Sequence, residues 1–238
     1  MVELNLGRQL REKAFLFDPA YTPLNHGSYG AFPKPVRAKQ RGLQDLTEAR
    51  SDPFIRFTVP RLLRESREAL APLLGASSKE VVFTPNATTA INTVLRNLSF
   101  SQGDVILYFS CAYDACEKTI LHVCEVTLAD AVRIDIEFPI EDDRVIRVFR
   151  QTVERLAGQG LTVRISMFDT VATFPGVRLP WESLVGTCKD LNILSLVDGA
   201  HGIGHIDVTS LGQVGPDFFT SNCYKLVIEF QPPLSTIG

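Results

Sequence analysis

The sequence lacks what would commit it to nucleic acid or to a membrane. Its 24 Lys and Arg nearly balance 27 Asp and Glu, for a net charge of −3. That leaves no basic excess to hold a nucleic acid or an anionic bilayer. No apolar run is long enough to span a membrane. The opening stretch MVELNLGRQLREKAF is charged throughout and has no apolar signal-peptide core, so a cytoplasmic protein is expected. No repeat, low-complexity tract or Gly/Ser-rich linker interrupts the chain. Cysteine is sparse and odd in number, at positions 111, 116, 124, 188 and 223, without the spacing of a secreted disulfide framework. Reduced thiols are the simplest account. The C-x4-C-x7-C run of Cys111, Cys116 and Cys124 fits no zinc knuckle, and His122 adds little, so no metal is expected. No G-x-G-x-x-G follows the first strand, which excludes a plain dinucleotide-binding domain.

What the sequence does have is an alternation of apolar strands and amphipathic helices. At 238 residues, 45% apolar and 21% charged, it suits one large globular domain or two small ones. Residues 34 to 50 and 59 to 74 read as helices. In the second, Leu62, Leu63, Ser66, Leu70 and Leu73 or Leu74 recur near the helical period, and Gly75 stands where a helix-terminating glycine would. Strands are then expected at 81–85, 104–109, 132–138, 163–169, 192–198 and 217–222. Helices are expected from Asn86, from Tyr113 to His122, and at 143–157 and 181–190. Strands that are nearly all apolar, separated by helices, predict an α/β fold with a mainly parallel sheet covered on both faces. Ligands of such sheets bind at the carboxyl ends of the strands, where Asn86, Tyr113, Asp198 and Lys225 all fall.

Two segments carry the most chemistry. LSLVDGAHGIGHID delivers Asp198 from an apolar strand, and PDFFTSNCYKL delivers Lys225 after another. A buried carboxylate and an amine are what pyridoxal 5′-phosphate (PLP) requires. The carboxylate keeps the pyridine nitrogen protonated, and the amine forms a Schiff base. Desolvation would require a partner for Asp198 and would favour the free amine of Lys225. The alternative for Asp198 is a cap on the following turn, and for Lys225 a solvent-facing strand end. Asn86, Ala87, Thr88 and Thr89 open a helix after a strand and could cradle a phosphate, or could merely cap the helix. Tyr113 could stack on a flat ring or be an ordinary half-buried aromatic. His201 could reach a phenolic oxygen or be a loop histidine, and His205 reads as structural.

In combination, LNHGSYGAFP (24–33), FTPNATTAIN (83–92), ISMFDTVATFPGVRLP (165–180), VDGAHGIGHID (197–207) and SNCYK (221–225) resemble the class V aminotransferase family of fold-type I PLP enzymes. Within that family the likeness is to isopenicillin N epimerase-like proteins and fungal hercynylcysteine sulfoxide lyases. The resemblance implies a fold-type I PLP-dependent large domain over residues 21–226, after an N-terminal segment 1–20. It implies Lys225 as the catalytic, cofactor-bearing lysine and Asp198 as partner of the pyridine nitrogen. His201 would lie near the phenolic oxygen, Tyr113 on the ring, and Thr88, Ala87 and Asn222 at the phosphate. Tyr224 would line the same cofactor where relatives commonly carry His. Asn25, His26 and Thr173 would face substrate. It further implies a homodimer for an intact chain. Relatives follow the lysine with Trp and a Gly-containing stretch. Here residues 227–238 read as a tail foreign to the family, as a retained intron or frameshift would give. The last sheet strands, a small C-terminal domain and a carboxylate-gripping arginine are expected to be missing.

The expected activity is that of a PLP enzyme acting on an amino acid or a cysteine-derived substrate, C–S lyase-like or transferase, in specialised metabolism. A cysteine desulfurase is disfavoured, because relatives place its mobile cysteine beyond the stretch this chain covers. The alternatives are a non-catalytic remnant that binds PLP or pairs with an intact paralogue, and an amino-acid epimerase.

Overall fold

The computed structural model describes residues 7–225, with the side chain of Lys225 excepted. The tail 227–238 therefore lies outside the described residues. Five parallel strands form one sheet: β1 Asp104–Phe109, β2 Asp130–Ile134, β3 Thr162–Asp169, β4 Leu194–Gly199 and β5 Phe218–Ser221, in spatial order β2-β1-β3-β4-β5. β1 reads DVILYF and is buried along nearly its whole length. A strand so apolar can only sit where both faces are covered. Each crossover is a helix: α7 Asp114–Val126, α8 Asp142–Gly158 and α9 Trp181–Asp190, with the short α10 Leu211–Val214 before β5. α6 Ala87–Asn97 precedes β1.

Helical periodicity decides which face each helix covers. α6 buries Ile91 and Leu95 and α7 buries Cys116, Ile120 and Val123, all packed with Ile106, Tyr108, Ile165, Met167 and Leu196. On the opposite face, Val145, Phe149 and Leu156 of α8 and Trp181, Leu184, Val185 and Cys188 of α9 meet Val105, Leu107, Phe109, Phe168 and Val197. Alternate strand residues thus go to alternate helix layers, as the two-residue period of a strand demands.

The N-terminal part has a different character. α1 Arg8–Ala14, α2 His26–Tyr29, α3 Lys34–Ala49, α4 Ser51–Pro53 and α5 Val59–Leu70 contain no fully buried residue. A π-helical turn, Phe54–Thr58, joins α4 to α5, and a 3₁₀ turn, Ala71–Leu74, closes α5. Gly75 ends it in the left-handed conformation, with φ 57° and its N–H donated to the Pro72 carbonyl. This is the terminating role its place in the sequence suggests.

Three sequence expectations are corrected. Residues 81–85 are not a strand: no ladder partner lies beside them among the described residues, and Val82 is 74% exposed. Apolar β-branched residues favour a pleated surface, but without a neighbouring strand they cannot form a ladder. The expected strand 132–138 lies instead at Asp130–Ile134, because its register is set by pairing Val105–Phe109 of β1, which ends there. Lys225 does not end a strand. It closes a 3₁₀ turn, Cys223–Lys225, beyond β5.

Candidate active site at the carboxyl ends of the strands

From β1 the chain returns to β2 on one side and to β3 on the other, so the crossovers diverge between β1 and β3. The crevice at such a switch point is where open α/β sheets bind ligands. Asp169 and Asp198 stand there at the ends of β3 and β4, and each is only 3% exposed. Asp198 Oδ1 accepts the Ala200 N–H at 2.9 Å, so the carboxylate does cap the turn after β4. Its Oδ2 accepts the Cys116 thiol at 3.5 Å. Cys116 lies in the first turn of α7, whose positive end therefore faces the same carboxylate. Burial first, and then the charge of Asp198, push the Cys116 thiol far up, so it stays a proton donor.

Sequence reasoning singled out Asp198 but missed Asp169, and weighed Cys116 only as a metal ligand. The signal for Asp169 was present: it ends an apolar strand, VRISMFD, as Asp198 ends its own. Burial and then Asp198 hold the Asp169 carboxyl well above the ordinary carboxylate range. Gly199 was also missed. A Cβ there would stand 2.8 Å from the Thr220 carbonyl oxygen and closer still to the Phe219 ring, so β4 and β5 can approach only with glycine at this turn.

The helix opened by Asn86 carries the cap foreseen for it. Asn86 Oδ1 accepts the Thr89 N–H at 2.8 Å and so caps α6. The buried Asn222 reaches across from the end of β5, and its Oδ1 accepts the Ala87 N–H at 3.1 Å. Ala87 and Asn222 are thus bonded to each other, while the Thr88 N–H and hydroxyl make no hydrogen bond among the described residues. Among the described residues, the Thr88 N–H and hydroxyl are the donors left uncommitted at this end of α6.

The remaining candidates gather at the same end of the sheet. Tyr113 is the N-cap of α7 and is 46% exposed, available to a planar ligand over the crevice. His201 Nε2 lies 3.4 Å from Thr173 Oγ1. Gly27 of α2 packs against the rings of His201 and His205 at about 3.5 Å from an added Cβ, which brings Asn25 and His26 over this end. α2 also contacts the turn that carries Tyr224 and Lys225. Asn25 itself is committed locally, accepting the Ser28 hydroxyl at 2.8 Å. The side chain of Lys225 lies outside the described residues. Among those residues, no three His, Cys, Asp or Glu come together as a cation site. Beside β5, a cleft of about 560 Å³ runs between residues 81–86 and Phe219, Asn222 and Tyr224.

Comparison with known proteins places this arrangement. The model of the family "Aminotransferase class-V" matches residues 52–227. The L-cysteine desulfhydrase-like protein lolT2 of Epichloe uncinata is 36% identical over 220 residues, which cover 92% of this chain and 47% of that protein. The hercynylcysteine sulfoxide lyase of Schizosaccharomyces pombe is 34% identical over 227 residues, 94% of this chain and 56% of that protein. Among solved structures, the cystine C–S lyase C-DES in complex with cysteine persulfide superposes with a TM-score of 0.74 at 19% identity, over 90% of this chain and 54% of that one. The chain spans about half the length of the curated relatives it matches. With the fold-type I architecture and these relatives together, the chain belongs to the class V aminotransferase family.

Proposed function

We propose that the protein binds PLP at the carboxyl ends of β3, β4 and β5 and serves the cleavage of a C–S bond in a cysteine-derived amino acid. The observation that carries this reading is Asp198, a buried carboxylate held by two donors at the switch-point end of the sheet. The residues present fit the cofactor. A buried acceptor matches a protonated pyridine nitrogen, an uncommitted helix N-terminus at Thr88 matches a phosphate, and the exposed face of Tyr113 matches a ring. The names of the relatives, cysteine desulfhydrase-like protein and hercynylcysteine sulfoxide lyase, support the C–S branch over epimerisation.

Bound PLP supplies an electron sink for charge developing at the substrate Cα. The chain's own part is positional and electrostatic. Asp198 would hold a proton on the pyridine nitrogen of bound PLP, with the Ala200 N–H and the Cys116 thiol orienting that carboxylate. Thr88 would anchor the phosphate, and Asn222 fixes the α6 terminus relative to β5. Lys225, in the turn after β5, is assigned the cofactor-bearing amine and the movement of the Cα proton. His201, with Thr173 beside it, and the α2 segment with Asn25 and His26 bound the space left for substrate.

The test is reduction of the full-length protein with borohydride after mixing with PLP, followed by peptide mapping. A single label on the Lys225 peptide, abolished in Lys225→Ala, is expected. Label scattered over surface lysines would overturn cofactor binding at this site. Label at Lys225 without sulfide release from any cysteine-derived substrate would favour a cofactor-binding protein without activity.

A further inference from the structure

We propose that Asp169 is a further positioning residue of this site, a carboxyl kept as the neutral acid so that the negative charge of the pocket resides on Asp198 alone. The inference deepens the reading above and rests on it for its bearing on the cofactor.

The geometry sets up the conflict. Asp169 and Asp198 are register partners on adjacent parallel strands, so their side chains leave the same face of the sheet. Neighbouring strands are only about 4.8 Å apart. Both carboxyls are almost fully withdrawn from water. Two like charges so placed cannot both persist, and one carboxyl must hold its proton.

The hydrogen bonds decide which. Asp198 has the Ala200 N–H on one oxygen and the Cys116 thiol on the other, with the first turn of α7 beyond. Each of these favours the ionised form. Asp169 Oδ2 is buried and has no hydrogen-bond partner among the described residues. An ionised oxygen without a donor is the costlier of the two, so the proton belongs to Asp169. The titratable groups around it, among the described residues, are Asp198 from β4, Cys111 from the loop after β1 and Cys116 from α7. Both thiols are pushed up first by burial, Cys111 to about 12 and Cys116 further, so neither adds charge at neutral pH.

The consequence is electrostatic economy at the pyridine nitrogen. A second anion at the end of β3 would overbalance the single positive charge that Asp198 faces. A neutral acid there keeps the pair at one negative charge without a void.

The experiment compares wild type, Asp169→Asn and Asp169→Ser, all full-length. The first readout needs no cofactor: the thermal midpoint against pH. A carboxyl raised in the folded state contributes its stability below the ordinary carboxylate pKa and loses it as pH rises through the folded value. The wild-type midpoint should therefore fall relative to both variants as pH rises above the ordinary carboxylate range. Midpoints that run parallel at every pH would overturn the proposal. The second readout is PLP affinity. Asp169→Asn should bind within about threefold of wild type, because it replaces one neutral group by another, whereas Asp198→Asn should lose more than about tenfold. A tenfold loss in both Asp169→Asn and Asp169→Ser would mean that Asp169 carries charge, and would overturn it. If wild type binds no PLP, the functional reading fails, while the pH profile still decides the state of Asp169.

Discussion

Asn222 shows how one side chain ties the candidate site to the sheet. It lies just past β5, is buried, and reaches 3.1 Å to the Ala87 N–H in the first turn of α6. An N–H in the first helical turn has no partner within its own helix, so Asn222 supplies what the helix cannot. Replacing it with Ala would leave a buried N–H unsatisfied at a cost of about 1–3 kcal/mol. Asn222→Ala should therefore lower the urea midpoint without changing the slope of the transition. An unchanged midpoint would mean that water replaces the bond. Asn222→Asp is the informative companion. Its carboxylate can still accept from Ala87, so stability should recover, yet it places a negative charge beside Thr88. PLP affinity should then fall while the urea midpoint does not, a split that separates anchoring of the helix from phosphate binding.

At the scale of elements, what the sequence disclosed was what depends on local pattern. β1, β3 and α9 fall within a residue of where periodicity puts them, because apolar runs and amphipathic stripes are written into adjacent residues. What depends on a partner was not legible. Residues 81–85 have strand-forming composition but no neighbouring strand among the described residues, and the pairing of β2 shifts toward Asp130 because β1 dictates its register. Asp169 was passed over, and Cys116 was weighed only as a metal ligand, for the same reason: only the register of β3 with β4 and the seating of α7 bring them to Asp198. A second close approach that no periodicity reveals joins Gly75, after the 3₁₀ turn of α5, to Gly212 in α10. A Cβ on Gly212 would clash with the Gly75 carbonyl oxygen, and one on Gly75 with the Thr209 carbonyl oxygen. Both obstacles are backbone and cannot rotate away. Gly212→Ala should destabilise by about 1–3 kcal/mol through overpacking, even though alanine is the better helix former. Gly42→Ala in α3, where nothing lies within 4 Å of the new Cβ, should be neutral or slightly stabilising. Equal effects in the two variants would show that the backbone at Gly75 and Gly212 yields enough to admit the new Cβ.

Across the whole molecule, apolar surface is distributed unevenly. The sheet and its covering helices bury their large side chains, whereas the N-terminal third displays Leu24 at 92% exposure together with Tyr29, Ile55 and Phe57. α3 and α5 are both amphipathic, yet neither buries a residue. Scattered exposed apolar residues are ordinary, but a run of amphipathic helices with no buried residue among the described ones is the pattern of a surface that meets a partner. We expect that partner to be a second copy of this chain, as the family resemblance implies, and α2 lies in this same region against the turn of Lys225. We therefore expect the 238-residue chain to sediment at about twice 26.4 kDa, with dissociation on dilution. Phe57→Glu should shift it toward the monomer, because a charge buried in an apolar contact lacks compensation. If pairing closes the α2 segment over the site, the same substitution should also weaken PLP binding, although Phe57 sits in the π-helical turn, apart in sequence from the residues assigned to the cofactor. A monomer at all concentrations for wild type would remove the second copy from consideration. A dimer unaffected by Phe57→Glu would move the contact away from the π-helical turn and onto α3.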